Sequence, residues 1–141
     1  MGVGRWVVML GCCVVGACGG DQERARGEAA ALLRHLERIA PGAEPEQHRS
    51  AVQALGQLSL SVPELVETRE TCLLAQQGFL RAGDLQGTAR KALKEAQEVV
   101  NPVAQKARAR SALEASEAAL AEAREALGRC RVAAAAVARK Y

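Results

Sequence analysis

The fold is decided by one continuous stretch, SVPELVETRETCLLAQQGFLRAGDLQGTARKALKEAQEVV over residues 61–100, followed by NPVAQKARARSALEASEAALAEAREALGRCRVAAAAVARKY over residues 101–141. In its first half Leu65, Cys72, Phe79, Gln86, Leu93 and Val100 recur every seven residues, and Thr68, Ala75, Ala82, Ala89 and Ala96 follow three positions later. In its second half Leu113, Leu120, Leu127, Ala134 and Tyr141 recur at seven, with Ala109, Ser116, Ala123, Cys130 and Val137 between them. A heptad with apolar first and fourth positions is the seam of a helix packed along another helix. Asn101-Pro102 separates the two runs with a good N-cap and a residue suited to the first helical turn. The chain therefore folds back near residue 101, which makes partner numbers sum to about 202. That register sets Phe79 against Ala123, Ala82 against Leu120, Ala75 against Leu127, Ala89 against Leu113 and Leu93 against Ala109. Large faces small at each layer, as interdigitation requires. It also sets Cys72 against Cys130.

Working towards the N-terminus, Ser61-Val62-Pro63-Glu64 has the S-x-x-E spacing of a capping box, with proline in the first turn. Leu32, Leu33, Leu36, Ile39 and Ala40 repeat at three and four, and Pro41-Gly42-Ala43-Glu44-Pro45 stops that run. Ala51, Val52, Leu55 and Leu58 mark one side of a short helix. The expected class is all-α: a small helical bundle built on a long antiparallel hairpin, with helices over about 22–40, 46–60, 62–98 and 102–140. Gly78, Gly83 and Gly87 each cost about 1 kcal/mol against alanine inside a helix, and Gly83-Asp84 leaves open a break in the third one.

Composition agrees. Of 141 residues 49% are hydrophobic but only 2% aromatic, which excludes the β-branched and aromatic content of a sandwich or barrel. Base-stacking nucleic-acid modules need aromatic platforms, and the formal net charge is only +3, so no nucleic acid is expected as a partner. Alanine occurs 29 times, well above ordinary usage.

The N-terminus is a separate matter. After Arg5, Trp6 to Ala17 (WVVMLGCCVVGA) runs without a charge. Twelve such residues are too few to cross a hydrocarbon core, and they match the apolar part of a secretory signal. Val15-Gly16-Ala17-Cys18 then resembles the lipobox of bacterial lipoproteins, with a competing box at Met9-Leu10-Gly11-Cys12. The resemblance implies a signal peptide over 1–17 cut after Ala17, with lipidation of Cys18 (palmitate among its acyl chains). Residues 18–21 would be the lipidated cysteine and tether, and 22–141 the helical domain. Because Gly19 and not Asp follows Cys18, the resemblance also implies an outer-membrane, periplasm-facing destination in a Gram-negative cell. Several acyl chains give stable anchoring where one does not. Cys12 and Cys13 would leave with the signal, and Cys72 and Cys130 would be the two remaining thiols in an oxidising compartment. They are expected to pair.

Catalytic chemistry is sparse. His35 and His48 fall on different expected helices, and no His-x-x-x-His, Cys-x-x-Cys, nucleophile elbow or phosphate loop occurs. No catalytic residues, no metal site, no cofactor and no small-molecule substrate are expected. The cations are interspersed with Glu, and only Arg129, Arg131, Arg139 and Lys140 lean one way. The leading expectation is a non-enzymatic structural or protein-interaction module, bound to the bilayer through acylated Cys18 and to other envelope proteins. In size, anchor and helix content the chain resembles pilotins, which escort secretin subunits to the outer membrane. This implies a chaperone or assembly factor as an alternative. Phe79-Leu80-Arg81-Ala82-Gly83-Asp84-Leu85 with Ala89, Ala96 and Asn101-Pro102 resembles part of a tetratricopeptide repeat, which implies a divergent adaptor.

Overall fold

A computed structural model describes residues 19–39, 42 and 44–141. Four helices account for nearly all of them: α1 (Gly19–Glu37), α2 (Pro45–Gly56), α3 (Pro63–Gln97) and α4 (Val103–Lys140). Among the described residues there is no strand, and the all-α hairpin bundle read from the heptads is the architecture. The helix α3 is unbroken through Gly83-Asp84 and, at 35 residues, about 52 Å long. The stretch resembling a tetratricopeptide repeat lies within it up to Gln97.

The α3/α4 pairing keeps the expected fold-back and alters which residues form its seam. On α4 the buried residues are Ala109, Ala112, Ser116, Ala119, Ala123, Ala126, Cys130 and Val137. On α3 they include Thr68, Cys72, Ala75, Ala82, Ala89 and Ala92. The alanine row of each heptad is inside as expected, except that on α3 it ends at Ala89 and Ala96 is only half-buried. The second row holds at the open end of α3, where Leu65 and Cys72 are buried, but on α4 it is the alanines one position earlier: Ala112, Ala119 and Ala126 in place of Leu113, Leu120 and Leu127. Ala92 likewise takes the place of Leu93, and Leu93 and Leu113 are left 46% and 44% exposed. Backbone proximity is the cause. A Cβ built on Gly78 would lie 2.8 Å from the Ala123 Cβ, so Gly78, not Phe79, is the residue that meets Ala123. Cys72 and Cys130 have Cα atoms 4.7 Å apart, and Ser116 Oγ donates 3.0 Å to the Ala82 carbonyl on the other helix. Helices this close leave no room for leucine between them, so the leucines flank the seam.

At the open end of the hairpin the other two helices complete a core of Ala29, Leu32, Val52, Leu55, Leu65, Cys72, Leu73, Cys130 and Val137. The α2 helix stops at Gly56, four residues before its expected end. The following Leu58-Ser59-Leu60-Ser61-Val62 lies outside any helix, with Leu58, Leu60 and Val62 packed on the core and the serines exposed. That alternation has the period of a strand, and a non-helical strap buries three apolar residues that a helix would scatter. The Arg69 guanidinium holds the strap by donating 2.5 Å to the Leu58 carbonyl.

The expected capping box at Ser61 does not form. Val62 is the N-cap of α3, without a side-chain cap bond, because Ser61 is engaged elsewhere. Glu28 of α1 accepts from Ser61 N–H at 2.7 Å, from Ser61 Oγ–H at 2.5 Å and from Val62 N–H at 3.2 Å. Glu64, the other half of the box, pairs with Lys140 at the end of α4. Glu28 thus fixes the middle of α1 beside the start of α3, while Leu36 and Ile39 lie alongside Phe79. From Glu28 to Ile39 the α1 helix therefore follows the direction of α3, from the start of α3 towards the level of Phe79.

Candidate functional site

Three features carry chemistry: the disulfide within the core, a cleft beside it and the hairpin turn. Cys72 and Cys130 are joined with an S–S length of 2.02 Å. They are the pair the heptad register set opposite each other, and both are buried. Cys18 and Ala17 lie outside the described residues, as do Ala40, Pro41 and Ala43.

Next to the disulfide, α1, α2 and the hairpin leave a cleft of about 500 Å³ lined by Leu36, Ile39, Phe79, Leu127 and Ala134, with His48, Gln76 and Arg131 as its polar groups. Phe79 and Leu127 are available to it because the alanine seam excluded them from between α3 and α4. His48 Nε2 and Gln76 Oε1 are hydrogen-bonded at 3.0 Å, which ties α2 to α3 at the cleft edge. His35 lines a separate surface depression with Arg38, Glu46 and Ala51. Among the described residues no group of three or more His, Cys, Asp or Glu side chains is placed to hold a metal ion. No helix there is long and apolar enough to cross a membrane.

The charged groups mostly hold the helices together. Arg49 of α2 pairs with Asp84 of α3, and the guanidinium is held further above its already high ordinary value by that bond. The bonds from Ser61, then Val62, draw the Glu28 carboxyl below the ordinary carboxylate range. Glu64 is lowered by Lys140 and, less, by the Tyr141 hydroxyl, which donates at 3.4 Å. Lys140 is raised by the same carboxylate, and its ammonium sits 5.2 Å from the Tyr141 ring centroid. Arg129 pairs with Glu125. Of the C-terminal cations that lean one way in sequence, two are therefore neutralised by partners.

The opposite is true of the turn. Val99, Val100 and Val103 are all exposed, Val103 to 70% and Val100 completely. Residues 90–110 around them carry Arg90, Lys91, Lys94, Lys106, Arg108 and Arg110 against only Glu95 and Glu98. That excess of four positive charges is larger than the +3 of the whole chain. The sequence reading, which treated these cations as interspersed with glutamate along each helix, missed the cluster. A running charge count over residues 90–110 would have found it, and the fold adds that these residues flank one exposed turn.

Comparison with family models, with curated proteins and with solved structures finds no match to this chain.

Proposed function

We propose that this protein is a membrane-anchored envelope lipoprotein, acylated at Cys18 after cleavage at Ala17, that works as a non-enzymatic structural or protein-interaction module. The observation that carries the reading is the polarity of the molecule. The middle of α1, the helix that follows Cys18 in sequence, is bonded at the start of α3 through Glu28, and the hairpin, about 52 Å long, carries its turn at the far end. Tethering such a platform raises its effective concentration for partners on the same envelope surface. The Cys72–Cys130 link suits an oxidising compartment beyond the cytoplasm. In cells fed a labelled fatty acid, the wild-type chain should be labelled and fractionate with outer membranes, and Cys18→Ser should be unlabelled and released. Continued labelling of Cys18→Ser removes the assignment.

The apolar cleft favours a second reading, a pilotin-like chaperone or assembly factor that receives an amphipathic partner helix. Leu36, Ile39, Phe79 and Leu127 would be its anchors. Photo-crosslinkers at Phe79 and at Val132, used in the intact envelope, separate the two readings. Capture of a partner helix at Phe79 alone supports the chaperone, and capture of a protein on the exposed face of α4 alone supports the tethered platform.

A further inference from the structure

We propose that the closed end of the α3/α4 hairpin, Val99 to Val103 with its flanking lysines, is a docking tip for an anionic lipid surface. Three observations converge on it. The exposed apolar residues are at a convex apex and not in a groove, so they suit a soft surface into which side chains insert. Val99 and Val100 stand in the turn and Val103 opens α4, with no part of α1 or α2 bonded there; the furthest side-chain bond between α2 and α3 is Arg49–Asp84.

The second observation is charge. Lys91, Lys94 and Lys106 make no ion pair among the described residues, while the nearby Arg108 and Arg110 meet Glu95 and Glu114 through exposed contacts of 4.0 and 2.9 Å. At 1.5 Å per residue, Lys94 and Lys106 lie within about 8 Å of the valines along the helix axes. That is inside one Debye length at physiological salt, so the cations and the apolar apex act on the same surface.

The third observation is composition elsewhere. The rest of the chain, without residues 90–110, has a net charge of −1, by difference from the whole-chain +3. A general attraction to anions is thus not a property of the bundle and belongs to this end. Apolar side chains that enter the headgroup boundary, with basic residues drawn to anionic headgroups, bind by the sum of the two effects. The inference does not require acylated Cys18. Where Cys18 is acylated as proposed above, the tip is a lipid contact separate from that anchor.

The test places a reporter at the tip. In the full chain with Cys12→Ser, Cys13→Ser and Cys18→Ser, Val100→Cys offers a single free thiol for an environment-sensitive dye, Cys72 and Cys130 being joined. The dye is expected to shift to the blue with phosphatidylglycerol vesicles and not with phosphatidylcholine vesicles. Raised ionic strength should reverse the shift. Each of Lys94→Gln and Lys106→Gln should raise the lipid needed for half the shift by about fivefold, and Lys91→Gln, about 12 Å from Val99 along the axis, by less. The same dye at Val132→Cys, an exposed apolar position on α4 away from the turn, should stay silent and reports how residues 1–18 behave. No shift at position 100, an equal shift on neutral vesicles, or an equal shift at position 132 would overturn the proposal. A shift without vesicles that grows with protein concentration would also overturn it, in favour of a second copy of this chain as the occupant.

Discussion

Glu28 is a carboxylate whose three donors come from another segment, and its energetics are accordingly directional. The folded state binds the charged form more strongly than the unfolded chain does, so the folded-state value is lowered. The stabilisation is complete above the unfolded value, about 4.3 for glutamate, and is lost as the pH falls through the folded one. Comparing urea midpoints of wild type and Glu28→Gln from neutral pH downwards should show a gap that closes below about pH 4. A gap independent of pH would mean that the carboxylate's charge is not what ties α1 to the strap. Lys140 has the opposite sign. Its raised value means that its contribution is present below the unfolded lysine value and disappears as the pH rises through the folded one. Gly78 makes the second residue-scale prediction, because here the usual benefit of alanine reverses. At Gly83 and Gly87 a new Cβ meets nothing within 4 Å, and Gly→Ala should gain about 0.5–1 kcal/mol from helix propensity. At Gly78 the new Cβ would lie 2.8 Å from the Ala123 Cβ and 3.3 Å from its Cα. Neither atom can swing away, so the overpacking cost of about 1–3 kcal/mol should outweigh the propensity gain. Thermal melts of the three variants order them: Gly83→Ala and Gly87→Ala at or above wild type, Gly78→Ala below it.

Among elements, the hairpin is the one whose closure is covalent. Cys72 and Cys130 are 58 residues apart in sequence, and a link of that span restricts the unfolded chain by roughly 4 kcal/mol in the chain-entropy picture. Reduction should lower the denaturant midpoint of the wild-type chain by an amount worth about 2–5 kcal/mol. The Cys72→Ala/Cys130→Ala chain should be destabilised to a similar degree and insensitive to reductant. The pairing of the two thiols was legible before any coordinates, because both stand at seam positions of the heptads and a fold-back near Asn101-Pro102, with partner numbers summing to about 202, sets them opposite each other. On α4 the second row was not legible for a physical reason. An apolar pattern ranks leucine above alanine for the interior, whereas backbones close enough for Gly78 to touch Ala123 admit only small side chains. Pattern alone does not report interaxial distance. The strap over Leu58–Val62 was readable, since Leu-Ser-Leu-Ser-Val alternates plainly, but the preceding helical run was extended through it. The capping box failed differently: Ser61 and Glu64 have the right spacing, and both found stronger partners, Glu28 and Lys140, that lie far away in sequence. The cleft was not foreseen, because its walls Phe79 and Leu127 were assigned to the seam.

The whole molecule is two regions of unequal stability on one pair of helices. The open end contains the clustered core, the disulfide, the Glu28 junction and the Glu64–Lys140 pair. The closed end, from about residue 88 to residue 117, is held by Ala89, Ala92, Ala109, Ala112 and Ser116 with no buried leucine, isoleucine or phenylalanine. A methyl group buries little apolar area at about 25 cal/mol per Å², so each heptad there contributes less than one around Leu65 or Leu55. Native-state hydrogen exchange should resolve this gradient. Amides of residues 88–97 and 103–117 are expected to open below the global unfolding free energy, and those near Cys72 and Cys130 only with it. Reduction should then lower protection around residues 65–80 and 123–137 by the full global loss. Protection near the turn should change less, because its opening does not pass through the disulfide. Uniform protection along α3 would contradict this account and would mean that the alanine seam transmits the stability of the core over its whole length. The gradient also bears on the proposed tip. An arm that opens locally presents Val99, Val100 and Val103 without unfolding the domain, so contact with a lipid surface should raise protection of residues 88–117 and leave the core amides unchanged. A rise confined to the core would place the contact elsewhere.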